Sequence, residues 1–93
     1  MKLVFSRRAL SDLDQIAKYY NDHAGQAVAQ SIGQRIEDVM TRITTAPESA
    51  PRVSQRPHIR VASVVRYPFK IFYRLNCETI DILYIRHTSR QPL

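Results

Sequence analysis

His87 and Arg90, three positions apart in the chain, are the side chains best suited to reactive work in this 93-residue sequence. They sit in Arg86-His87-Thr88-Ser89-Arg90, just beyond the end of a predicted strand. An imidazole titrates near neutrality and can move a proton, and a guanidinium grips a phosphate through two parallel donors. Together they would suit proton transfer beside a stabilised phosphate. The histidine would equally serve to cap the sheet or bond a carbonyl, and the residues alone leave both roles open. Arg90 lies past the strand on the cationic side.

Other chemistries find little footing. His23, His58 and His87 are scattered, with no cysteine partner and no paired-histidine helix spacing, so no metal site is expected. Gly25 and Gly33 are the only glycines, which leaves no phosphate cradle and no expectation of a nucleotide cofactor or of any other. Cys77, the single cysteine, falls in a predicted turn and reads as an incidental thiol. Asp12 with Asp14, and Glu37 with Asp38, lie on predicted helices and read as solvated surface charge.

The charge is unevenly distributed. Residues 1–51 carry six basic and six acidic side chains, whereas residues 52–93 carry eight basic and two acidic, so the formal +6 belongs to the second part. A neutral helical half joined to a cationic sheet half implies an anionic partner met by one surface. The candidate contact residues are Arg60, Arg66, Lys70, Arg74, Arg86 and Arg90. No segment approaches the ~18 apolar residues of a membrane span, and Met1 to Arg8 lacks the apolar run of a secretion signal, so a soluble, cytosolic protein without membrane contact is expected.

The elements that must position these groups follow from periodicity. A chain of this length predicts one domain over residues 1–93. Leu3 and Phe5 suggest a short strand, with Ser6 as the N-cap of a helix whose apolar stripe is Leu10, Leu13, Ile16, Ala17 and Tyr20. Asn21, Asp22, His23 and Gly25 should break that helix. Val28, Ile32, Ile36, Val39, Met40 and Ile43 mark a second helix that ends before Pro47, with Gly33 tolerated if it lets the helices approach closely. Glu48 to Arg56 reads as a loop. Three strands follow, over 59–65, 69–75 and 80–85, the last apolar on both faces and so placed inside the sheet. The expected class is α+β: a short strand, an antiparallel two-helix hairpin covering one sheet face, and a three-stranded antiparallel meander.

This order, together with Ala9, Asp12-Leu13, Ile16 and Tyr20, Pro47, Lys70-Ile71-Phe72-Tyr73-Arg74 and Ile82 to Arg90, resembles the RelE/ParE superfamily of toxins from bacterial type II toxin–antitoxin modules. The resemblance implies one of two activities. RelE-like members are ribosome-dependent messenger RNA endonucleases that use basic residues on the sheet and, often, a C-terminal tyrosine or histidine; ParE-like members poison DNA gyrase. Carried onto this sequence, the nuclease set would be Lys70, Arg90, an approximate Arg60, and His87 in place of the missing C-terminal tyrosine, since the last tyrosine, Tyr84, lies within a strand. Metal-free RNA cleavage needs a base, an acid and cations around the phosphate. The cations are present and an acid–base pair is not evident, which favours the ParE-like reading and a protein that is not an enzyme. A nucleic-acid-binding module without catalysis is the third reading. The resemblance further implies a cognate antitoxin whose acidic C-terminal segment folds onto the toxin. Tyr19 and Tyr20 cannot both face the core, nor can Val28 and Ala29, so these four are the expected antitoxin contacts.

Overall fold

Ser6 starts the helical part of the chain: its backbone is extended and its hydroxyl accepts from the Ala9 amide at 2.9 Å, satisfying one of the orphan donors of the first turn. The computed structural model describes residues 1–88 and places α1 at Arg7–Ala24 and α2 at Gln26–Thr45. Asn21, Asp22 and His23 do not break α1 as expected. They continue it, because His23 Nδ1 lies 2.8 Å from the Tyr19 carbonyl and its ring stacks on Tyr19 at 4.2 Å. Gly25 alone separates the helices, at φ 93°, a conformation that costs a residue with a Cβ but not glycine.

The sheet is larger than the expected meander. β1 (Lys2–Phe5), β2 (Arg52–Val53), β3 (Arg56–Ser63), β4 (Phe69–Leu75) and β5 (Thr79–His87) form one five-stranded mixed sheet in the order β1-β5-β4-β3-β2. β3, β4 and β5 are antiparallel neighbours, and β1 joins the end of the sheet parallel to β5, pairing Lys2 with Thr79 and Phe5 with Ile82. The segment expected as a loop contributes β2, which pairs with β3 across a register shift. Since that hairpin needs a partner, β3 starts at Arg56 and ends at Ser63, earlier than the 59–65 read from β-branched residues.

β5 lies inside the sheet, but its doubled apolar pattern has another source. Phe72 pairs with Tyr84 while Tyr73 pairs with Ile82, so Leu83 is the extra residue of a β-bulge. The bulge resets the alternation: Ile80 and Ile82 before it, and Ile85 after it, all face the helices.

The core lies between the helical hairpin and that face. Ile32, Ile36, Val39, Met40 and Ile43 of α2 meet Phe69, Ile71, Tyr73, Ile80, Ile82 and Ile85. From α1 only Ala9 is fully buried, with Leu13, Ile16 and Tyr20 packed against the core at its margin. Leu10 and Val28, expected in the apolar stripes, are exposed. Gly33 is exposed as well, and a Cβ built on it meets nothing within 4 Å, so no close approach of the helices requires it.

Candidate functional site

The face of the sheet turned away from the helices carries three cross-strand pairs between β4 and β5: Lys70 with Arg86, Phe72 with Tyr84, and Arg74 with Asp81. Residues directly opposite in an antiparallel pair project from the same side. Phe72 and Tyr84 stack with centroids 4.6 Å apart and planes 23° from parallel. Arg8, in the first turn of α1, lays its guanidinium 4.6 Å from the Tyr84 ring centre, and Arg86 lies 5.9 Å from it. A cation in the first helical turn opposes the helix dipole, and the aromatic contact offsets this by about 0.5–1 kcal/mol. Sequence reasoning missed Arg8 because it belongs to the neutral half. β1 adds Lys2 and Val4 to the same side, opposite Thr79 and Asp81.

Asp81 is the acidic group on these strands at that face. Its carboxylate accepts from Arg74 Nε at 3.3 Å and from the Thr79 hydroxyl at 2.9 Å. An exposed pair of this kind contributes little stability, though it does neutralise part of the charge that Arg74 brings. Lys70, Arg86 and Arg8 are exposed.

The remaining expected contact residues are placed elsewhere. Arg60 pairs with Tyr73, on the helix-facing side, and its Nη1 donates to the carbonyls of Glu48 and Ala50, each at 2.8 Å. There it ties the loop after α2 to the sheet. The Tyr73 hydroxyl donates to the Pro47 carbonyl at 2.7 Å in the same region, and burial pushes its phenol pKa up, partly countered by the Arg60 charge and a backbone hydrogen bond at Ala50. Arg66 is exposed in the turn between β3 and β4 at φ 74°, the left-handed region that few residues with a Cβ occupy. Arg90 lies outside the described residues.

His87 is on the helix-facing side. It pairs with Phe69, whose ring meets it edge to face at 5.1 Å, and its Nε2 lies 3.3 Å from the Tyr20 hydroxyl. Tyr20 in turn sets its edge against Phe69 at 5.9 Å. These residues, with Asp12, Ile16 and Tyr19, line a cleft of about 310 Å³ between α1 and β5. Asp12 is not the solvated charge its helix suggested: its carboxylate accepts from the Ile85 amide at 2.9 Å. It continues what Ser6 begins, since the Ser6 amide donates to the Ile82 carbonyl and its hydroxyl to the Leu83 carbonyl. Beyond the end of β1, α1 thus satisfies the edge of β5 with side chains.

Lys70 and Arg86 are therefore on the opposite side of the sheet from the imidazole, and Arg60 is on the same side as it. Lys70 and Arg86 project one way, Phe69 and His87 the other. The expected antitoxin contacts also separate: Tyr19 and Tyr20 line the histidine cleft, whereas Ala29 lines a smaller groove of about 90 Å³ between the helices with Ala17 and Gly33. Val28 is exposed on α2.

A helical hairpin laid on one face of a mixed sheet is the architecture of the RelE/ParE fold. The isolated Escherichia coli RelE toxin superposes with a TM-score of 0.67 at 14% identity, over 97% of this chain and 86% of that one. Residues 3–92 match the family described as the ParE toxin of the type II toxin-antitoxin system, parDE, and the chain belongs to this family. It is 33% identical over 85 residues to Toxin ParE3 of Caulobacter vibrioides, covering 90% of this chain and 83% of that toxin. A chain of the chromosomal ParDE system from P. aeruginosa has the same fold with a TM-score of 0.84 at 29% identity, covering 96% of this chain and 97% of that one.

Proposed function

We propose that this ParE-family toxin acts by poisoning DNA gyrase in the cytoplasm and is neutralised by a cognate antitoxin whose acidic C-terminal segment folds onto it. Family membership supports the toxin class, and one geometric observation favours gyrase over message cleavage. His87, the imidazole of the expected nuclease set, is set against Phe69 and Tyr20 on the helix side, while Lys70 and Arg86 project from the other. General acid–base cleavage requires the proton-transfer group and the phosphate-binding cations within hydrogen-bond reach of one phosphodiester. A sheet thickness separates His87 from Lys70 and Arg86, and the cation on its own side, Arg60, is held by the Glu48 and Ala50 carbonyls. The cationic face would then serve as the target contact, through Lys70, Arg74 and Arg86 with Arg8 added. Tyr19, Tyr20, Val28 and Ala29 remain the proposed antitoxin contacts, reached on two separate surfaces of the helical hairpin.

Purified toxin should inhibit gyrase supercoiling and trap gyrase–DNA cleavage complexes, leaving ribosome-bound message intact. His87→Ala should retain that inhibition. Unchanged supercoiling together with message cleavage that His87→Ala abolishes would refute the proposal and establish the nuclease instead.

A further inference from the structure

On the sheet face turned from the helices Lys70, Arg74 and Arg86 are exposed, while Ile59, opposite Arg74, is buried. Among the described residues five cations reach this face, Lys2, Arg8, Lys70, Arg74 and Arg86, against one carboxylate on its strands, that of Asp81. They fall into two rows. Lys70 and Arg86 are directly opposite at one end, with Arg8 beside them over Tyr84; Arg74 and Lys2 stand at the other end, flanking Asp81. Arg74 lies four steps along β4 from Lys70, a distance of about 14 Å at ~3.4 Å per residue. The major groove of B-DNA is about 12 Å wide, of the same order.

The aromatic pair between the rows argues about what kind of contact this is. Base stacking needs an open ring face. Tyr84 has Phe72 on one side and the Arg8 guanidinium nearby at 4.6 Å, and Phe72 is stacked on Tyr84, so the pair is engaged with its own neighbours. Exposed cations on either side of rings already stacked suit backbone contact and not base readout.

We infer that the open sheet face is a duplex-DNA backbone site, with Arg8, Lys70 and Arg86 as its principal phosphate contacts. The toxin would then hold the DNA segment as well as the enzyme that cuts it. The choice of DNA over RNA rests on the gyrase reading; the site itself rests on the charge and spacing of the face.

The test is binding of the full toxin to a fluorescein-labelled duplex of random sequence, followed by anisotropy from about 50 to 200 mM salt in the absence of gyrase. Three phosphate contacts should give a log–log salt slope near about −3, at about −0.9 each. K70Q/R86Q should weaken binding at least about tenfold and flatten the slope by about 2. K18Q/R35Q removes the same charge from the helical hairpin and should stay within about twofold of the parent. Circular dichroism and melting temperature verify that both variants fold. Absent binding, equal weakening by both double variants, or tighter binding to single-stranded RNA or a polyglutamate peptide would each overturn the inference. A parallel supercoiling assay separates the two claims. DNA binding with unaffected gyrase refutes the gyrase reading alone, and gyrase poisoning without DNA binding refutes this inference alone.

Discussion

Replacing Asp12 with alanine should cost about 2 kcal/mol, although a helix-surface aspartate ordinarily contributes within about 0.5 kcal/mol. The figure comes from what Asp12 holds. Its carboxylate accepts from the Ile85 amide at 2.9 Å, and Ile85 is buried on a stretch of β5 that β1 no longer covers. A hydrogen bond to a charged group is worth about 1.5–3 kcal/mol, and its removal leaves a backbone donor poorly solvated. In a domain of this size, roughly 4–8 °C of melting temperature accompanies each kcal/mol, so Asp12→Ala should melt about 8–16 °C below the parent. Asp12→Asn keeps an acceptor oxygen and should lose about half as much. Urea denaturation gives the free energies, and amide exchange at Ile85 should accelerate in the alanine variant. Should Asp12→Ala match the parent within about 0.5 kcal/mol, or Ile85 exchange stay unchanged, the bracket between α1 and β5 contributes nothing and the reasoning fails.

Two further substitutions probe other parts of the fold. Tyr73→Phe removes the donation to the Pro47 carbonyl and should cost about 1 kcal/mol near neutrality, read by urea denaturation. Because burial raises the Tyr73 pKa, the unfolded chain releases this proton near pH ~10 while the folded chain retains it. The stabilisation is thus fully present below that pH and lost as pH rises through the folded pKa; the Phe variant should show a shallower alkaline decline. Gly33→Ala should stabilise by about 0.5–1 kcal/mol, since the position is helical and exposed and a Cβ there meets open space. A lower melting temperature in Gly33→Ala would show that the helices need the glycine after all.

Much of this architecture is legible from periodicity and caps. Ser6 announces the first helix, the α2 stripe from Ile32 to Ile43 is buried as its spacing requires, and β4 occupies the segment where Ile71 and Tyr73 alternate with Lys70, Phe72 and Arg74. What escaped depends on partners distant in the chain. β1 finds its neighbour some 77 residues later, and β2 is too short for a pattern of its own. The bulge at Leu83 mimics a strand with two apolar faces, since one inserted residue moves the phase of all that follow. Leu10 looked like core because its spacing fits, yet Ala9 takes the buried position under the sheet. The cationic face was visible as a charge imbalance, but its composition was not. Arg60 is drawn to two carbonyls, and Arg8 arrives from the opposite half of the chain to lie over Tyr84.

The parallel pairing of the first strand with the last has a consequence for how the molecule comes into being. Until residues 79–87 emerge from the ribosome, β1 has no neighbour at all and β4 lacks one of its two. A nascent chain can coil its helices but has no complete layer to lay them on, and joining ends so far apart in sequence is slow. An interval therefore separates translation of the helical hairpin from the arrival of a competent toxin, and any partner made alongside has that interval in which to be ready.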